Sequence, residues 1–156
     1  MLTEATRSRI LQLVGRYPHR RSALLPALYL AQEEQGYVSE ESMVEIGDLL
    51  RLTPADVKSV AGYYTMFFKK PIGRYVVDVC TNLACKARGG EQTLAYVQKK
   101  LGVEDGGGTT ADGRFFVEEV ECLGQCEIAP MLEVDLQPFG FLDTPEAIDK
   151  VLDQYT

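Results

Sequence analysis

Val79-Cys80-Thr81-Asn82-Leu83-Ala84-Cys85 and Glu121-Cys122-Leu123-Gly124-Gln125-Cys126 hold all four cysteines of the 156-residue chain. The first pair is C-x4-C, the second is C-x3-C, and 36 residues (122 − 85 − 1) separate them. A strand-like apolar run leads into each pair: Tyr75-Val76-Val77-Asp78-Val79 into the first, Phe115-Phe116-Val117-Glu118-Glu119-Val120 into the second. Two strands ending side by side would place four thiolates around one point, a donor set that suits an iron–sulfur cluster or a structural zinc ion. Zinc knuckles favour tighter loops, often with histidine, and the one histidine, His19, is distant in sequence. A [2Fe–2S] cluster takes two ligands on each iron and wider loops whose N–H groups can face sulfur. Gly124 suits such a loop, because glycine turns with positive φ and lets backbone approach closely. Two disulfides or four inert thiols are the other readings, and disulfides require an oxidising compartment.

Longer stretches around these pairs carry a resemblance. They are Pro71-Ile72-Gly73-Arg74 running through Cys85, Thr109-Thr110-Ala111-Asp112-Gly113-Arg114-Phe115, and Val120 through Cys126-Glu127-Ile128-Ala129-Pro130. Upstream, Leu24-Leu25-Pro26-Ala27-Leu28, Gln32-Glu33-Glu34-Gln35-Gly36-Tyr37 and Val60-Ala61-Gly62-Tyr63-Tyr64 extend it over nearly the whole chain. The sequence resembles the thioredoxin-like [2Fe–2S] subunit of NADH–quinone oxidoreductase, the NuoE type of respiratory complex I. Related subunits serve NAD-linked hydrogenases and formate dehydrogenases. The resemblance implies an α+β protein: a small N-terminal helical bundle over 1–72, then a thioredoxin-like α/β [2Fe–2S] ferredoxin domain over 73–156. It implies one [2Fe–2S] cluster, with Cys80 and Cys85 on one iron and Cys122 and Cys126 on the other. It also implies partnership with a flavin-bearing, NADH-oxidising subunit (NuoF type) that holds FMN and NADH, and with other peripheral-arm subunits. The cluster would exchange electrons with that flavin, and the chain would be cytoplasmic, peripheral to the inner membrane through its complex. Three features depart from the family pattern: Gln125 in place of a small residue, Lys86 and Arg88 after Cys85, and Asp135-Leu136 in place of an Asn-Asp turn.

Charge is unevenly spread. The total is −7; residues 1–72 sum to +1 (nine Lys/Arg, eight Asp/Glu) and 73–156 to −8 (seven and fifteen). The acidic half carries the cysteines, which argues against nucleic acid as its partner and would lower a cluster's potential. No apolar run approaches the length of a membrane span, and Met1-Leu2-Thr3-Glu4 lacks a signal core, so we expect a soluble chain with no membrane insertion.

Hydrophobic spacing predicts a helix over 4–16, broken by Tyr17-Pro18. A second is expected from near Ser22 to Gln35, with Leu24, Leu25, Leu28, Tyr29 and Ala31 inward and Gly36 as its stop. Ser39 caps a third through about Leu50, and Thr53-Pro54-Ala55-Asp56 opens a fourth with Val57, Val60 and Ala61 inward. So small a bundle is marginal alone and should pack on a neighbour. The fourth helix carries only Lys58 as a cation, which disfavours a DNA-reading helix. The aromatic stretch 62–71 reads either as an interface strip or as core filling.

The second half reads β-α-β-β-α. Expected elements are a strand over 74–79, a helix over 91–101 with Leu94, Val97 and Leu101 buried, strands over 115–120 and Met131 to Val134, a turn at Pro138-Phe139-Gly140, a short strand at Phe141-Leu142, and a helix opened by Thr144-Pro145-Glu146 with Ile148, Val151 and Leu152 inside. No phosphate-binding glycine motif is present. No general acid, base or activated nucleophile stands out, so the chain should not catalyse alone but act as an oxidoreductase subunit. Thr81, Asn82 and Gln125 are candidates for hydrogen bonds to sulfur. The competing readings are a zinc-stabilised interaction module and a thiol oxidoreductase, the latter without the usual C-x-x-C.

Overall fold

The structure is a computed structural model and describes residues 1–155. The chain forms two compact units, Met1–Pro71 and from Ile72 onward.

The first unit contains α1 (Glu4–Val14), a 3-10 turn (Arg20–Ala23), α2 (Leu24–Gln35), α3 (Glu40–Leu50) and α4 (Pro54–Tyr63). Three of these helices start where a hydroxyl satisfies an orphan N–H: Thr3 accepts from Thr6 N, Ser39 from Ser42 N, and Thr53 from Asp56 N in a full capping box. Each such cap stabilises its helix by about 1 kcal/mol. The second helix departs from expectation. A 3-10 turn occupies 20–23, so α2 begins at Leu24 with no side-chain cap, and Pro26 falls in the first turn, where no intrahelical N–H is needed. Its core stripe is Leu24, Ala27, Leu28 and Ala31; that spacing moves Leu25 to the edge and leaves Tyr29 half-exposed.

Ile10, Leu28, Ile46, Leu50, Val57 and Phe67 are the large residues at the centre of this unit. After α4 the chain folds back on the bundle. The Gln32 side chain donates to Met66 O (2.8 Å) and accepts from Phe68 N (2.8 Å), and Val38 N donates to Phe68 O (2.7 Å). The aromatic stretch is therefore divided: Phe67 fills the core against the edge of Tyr29 (ring centroids 5.0 Å apart), while Tyr63 and Met66 lie at the surface.

The second unit contains β1 (Tyr75–Cys80), α5 (Leu83–Ala87), α6 (Gly90–Leu101), β2 (Gly108–Thr109), β3 (Phe115–Val120), β4 (Leu132–Val134), β5 (Gln137–Phe139) and α7 (Pro145–Leu152). The sheet order is β2-β3-β1-β4-β5. β1 lies at the centre, parallel to β3 and antiparallel to β4. Alternation puts Val77, Val79, Phe115, Val117, Leu132 and Val134 on one face, where they pack with Val97 of α6 and with Ile148, Val151 and Leu152 of α7. Leu94 and Leu101 flank that core partly buried.

Helix α5, the two-residue β2 and a 3-10 turn over Cys126–Ile128 were not anticipated, and β5 replaces the turn expected at Pro138-Phe139-Gly140. The expected strand at Phe141-Leu142 is absent. Instead Gln137–Phe139 pairs with β4, and Asp135-Leu136 makes the connection with φ of 49° and 67°. A two-residue left-handed turn matches the twist of a hairpin. Asp135 secures it by accepting from Val76 N through Oδ1 (2.9 Å) and donating its own N–H to Val76 O (2.9 Å).

On the other sheet face Asp78 stands in register with Glu118 on β3 and Glu133 on β4. Burial, then the negative charges of Glu118, Glu133 and Asp135, push the Asp78 carboxyl up to about 6. A carboxyl raised in the folded state is destabilising when ionised, so the penalty is absent below its unfolded pKa and fully present above about 6. Asp78→Asn should therefore raise the denaturation midpoint at pH 7, by roughly 1 kcal/mol after allowing for partial solvation. The gain should vanish at about pH 3.5, below the ordinary carboxylate pKa; an equal gain at both pH values would contradict an electrostatic origin.

Candidate metal centre

Parallel pairing of β1 with β3 fixes the centre. Cys80, the last residue of β1, is in register with Val120, the last of β3, and Thr81 N donates to Val120 O (3.1 Å). The second cysteine loop thus begins beside the first. On the opposite side Cys80 N donates to Met131 O (3.2 Å), so Cys80 is held between both neighbouring strands. The Cys80 thiol points at Glu121 O (3.8 Å), the residue before Cys122.

Asn82 turns the chain into α5: its Oδ1 accepts from Leu83 N (2.8 Å), and its carbonyl accepts from Lys86 N (2.7 Å). This short helix carries Cys85 back to Cys80. Both are buried, at 2% and 3% exposure, in a small cluster with Ala129 and Met131. Gly90, the first residue of α6, is in close contact with that loop. A Cβ there would lie 2.9 Å from Cys80 O and 2.9 Å from the Cys85 carbonyl carbon.

The second pair is exposed. Gly124 takes φ of 77°, and its N–H points at Cys122 Sγ (3.4 Å). Cys126 opens a 3-10 turn, Cys126–Ile128, followed by the cis Ala129-Pro130 bond. Phe141 N to Ile128 O (2.7 Å) and Leu142 N to Pro130 O (3.0 Å) hold this turn in place. Gly140 lies so close under Ile128 that no Cβ fits.

The sulfur-tuning candidates distribute differently from expectation. The Thr81 hydroxyl donates to Glu119 (2.6 Å) and Asn82 is the helix cap, so neither side chain is directed to sulfur. The backbone N–H of Gly124 fills that role, and its only sequence signal was the glycine itself. Lys86 is engaged by Glu91 at 2.6 Å, which blunts the positive charge after Cys85. Burial, followed by the hydrogen bond with Cys80, pushes the Cys85 thiol up to about 11. A reactive exchange cysteine needs the opposite shift, so Cys85 itself is not set up as an exchange nucleophile.

Among the described residues no three His, Cys, Asp or Glu side chains are gathered into a single-ion cage. The donor chemistry nevertheless fits an iron–sulfur group. Four thiols are carried by two loops, two buried and two exposed, and an N–H is aimed at one sulfur.

Comparison with known proteins agrees with that donor set. The E 2 subunit of NADH-quinone oxidoreductase from Rhizobium meliloti (strain 1021) is 38% identical over 149 residues, covering 96% of this chain and 88% of that protein. The E subunit of the same enzyme from Pseudomonas aeruginosa is 36% identical over 155 residues, covering 99% and 92%. Among solved structures, an NAD+-reducing [NiFe]-hydrogenase in the air-oxidized state superposes with a TM-score of 0.72 at 23% identity, over 85% of this chain and 22% of that one, a likeness of fold. The model of the thioredoxin-like [2Fe-2S] ferredoxin family matches residues 10–156, from within α1 to the C-terminal residue. With that match, and with two relatives above 35% identity over most of their lengths, the chain belongs to the thioredoxin-like [2Fe–2S] ferredoxin family.

Proposed function

We propose that this chain is the electron-transfer subunit of an NADH–quinone oxidoreductase and that Cys80, Cys85, Cys122 and Cys126 hold one [2Fe–2S] cluster. The observation that carries the reading is the register of β1 and β3, which starts the second cysteine loop beside Cys80. Such a cluster takes up and gives back one electron at a time. The chain's own part is to hold the sulfurs, to shield the Cys80–Cys85 side with Ala129 and Met131, and to leave the Cys122–Cys126 side open. The partner in this reading is the adjacent flavin-bearing, NADH-oxidising subunit, with FMN and NADH bound there. Among the described residues no helix is long and apolar enough to cross a membrane, which suits attachment through a peripheral arm. The work is divided between residues 1–72, a helical bundle, and 73–156, the cluster domain.

Metal and sulfide analysis of anaerobically purified protein tests the assignment. The expected result is about two irons and two labile sulfides per chain, the stoichiometry of this cluster type. Stoichiometric zinc without sulfide would overturn it in favour of the interaction module.

A further inference from the structure

We propose that a cleft between α1 and α2 is a binding site for a small organic phosphate, a monoester with an apolar or aromatic body. The cleft is built wholly from the first unit, and the inference does not rest on the function proposed above.

The cleft has a volume of about 260 Å³ and is lined by Arg9, Gln12, Leu13, Arg16 and Leu30. Arg9, Gln12 and Leu13 follow i, i+3, i+4 spacing, which sets them on one face of α1. Arg16 stands just past the C-cap Gly15, and Leu30 comes from α2. Leu13 and Leu30 are half-buried and give the cleft an apolar floor; Arg9, Gln12 and Arg16 are exposed and form its rim. A few convergent polar groups over an apolar lining are what small-molecule sites present.

The donors of this rim are available. The side chains of Gln12 and Arg16 make no hydrogen bond or ion pair among the described residues. Arg9 meets only Glu33, at 3.4 Å, with the two side chains 56% and 65% exposed. A pair so exposed is weak and yields to a stronger anion. The other arginines of this stretch are engaged: Arg7 by Glu45, Arg20 by Leu49 O and Arg21 by Asp56. An arginine past a helix C-terminus ordinarily serves the helix dipole alone. Here a second guanidinium, an amide and a leucine floor share its cleft.

Charge selects the ligand. Residues 4–21 hold five arginines and one acid, Glu4, in a chain of net charge −7. The local field draws anions to this part of a chain that otherwise repels them. A phosphate monoester carries a charge of about −1.5 to −2 at neutral pH and three acceptor oxygens, a better match to two guanidiniums and an amide than one carboxylate. The leucine floor takes the body of the ester. The volume falls below the roughly 300–1,000 Å³ of sites for drug-sized ligands, so the ester is small.

The test is calorimetric titration of the full holo chain with phenyl phosphate, benzoate and inorganic phosphate in turn. Phenyl phosphate should saturate at one molecule per chain and bind more tightly than either of the others. Arg9→Gln and Arg16→Gln should each weaken it about tenfold, the loss expected for one charge-assisted hydrogen-bonding partner. Both positions are exposed, so the fold is kept. Glu33→Gln should tighten binding, because it removes the carboxylate that competes for Arg9, a gain that a merely structural role of the rim would not produce. Arg51→Gln removes an exposed cation of the same unit outside the cleft and should bind like the parent. No saturable binding, or an equal loss in Arg51→Gln, would overturn the site. Benzoate or inorganic phosphate binding as tightly as phenyl phosphate would overturn the assignment to a phosphate ester.

Discussion

Cys85→Ser is expected to purify without visible colour, whereas Cys126→Ser should keep an altered chromophore. The difference follows from burial. Cys85 sits at 2% exposure against Cys80, Ala129 and Met131. Serine there removes one of the four proposed sulfur donors and puts a hydroxyl in an apolar site, costing about 1–3 kcal/mol if unpaired. No solvent reaches the gap to replace the lost ligand. Cys126 is exposed, so a serine oxygen or water can occupy its place. Iron content, the visible spectrum and the EPR spectrum after dithionite read both variants. An unchanged reduced EPR spectrum in Cys85→Ser would remove Cys85 from the ligand set.

Gly90→Ala should damage the same centre without touching a sulfur. The added methyl would fall 2.9 Å from Cys80 O and 3.0 Å from Cys85 O, so α6 or the first cysteine loop must move. Overpacking of this kind costs about 1–3 kcal/mol, and here the displaced backbone carries two of the four proposed ligands. The denaturation midpoint and the iron content should fall together. Gly62→Ala in α4 is the control: no atom lies within 4 Å of the new Cβ, and alanine should raise stability by about 0.5–1 kcal/mol in a helix. A Gly90→Ala protein with full iron content would show that the loop yields freely.

What was legible in the sequence was what local chemistry decides. Ser39, Thr53 and Thr144 each cap a helix through an N–H three residues on, and the strand at Phe115–Val120 begins and ends where its apolar run does. The cysteine pairs marked out four thiols in two loops, a set that spacing alone left open between an iron–sulfur cluster, zinc and disulfides. What was not legible depended on neighbours. Nothing in Leu136 marks it as a turn residue; its left-handed conformation holds because Asp135 is anchored to Val76 on the adjacent strand. That shifted the final strand from Phe141-Leu142 back to Gln137–Phe139. Helix α5 escaped notice because its five residues are too few for a periodic signal and span the second cysteine of the first pair. The sequence marks Gly90 only as a residue just ahead of the helix expected over 91–101, and its contact with the first cysteine loop exists only in the folded chain.

The parallel ladder between β1 and β3 has a consequence for the order of assembly. Its partners are forty residues apart (115 − 75), and α5 and α6 lie between them. Contacts of such span must overcome the entropy of closing the intervening loop, so they form late in folding. Until they do, the first thiol pair has no second pair beside it. Maturation should therefore proceed on a sheet already built, with cofactor loading as a late step. The solvent-facing thiols of Cys122 and Cys126 would be the point of entry, and Cys80 with Cys85 the enclosed end.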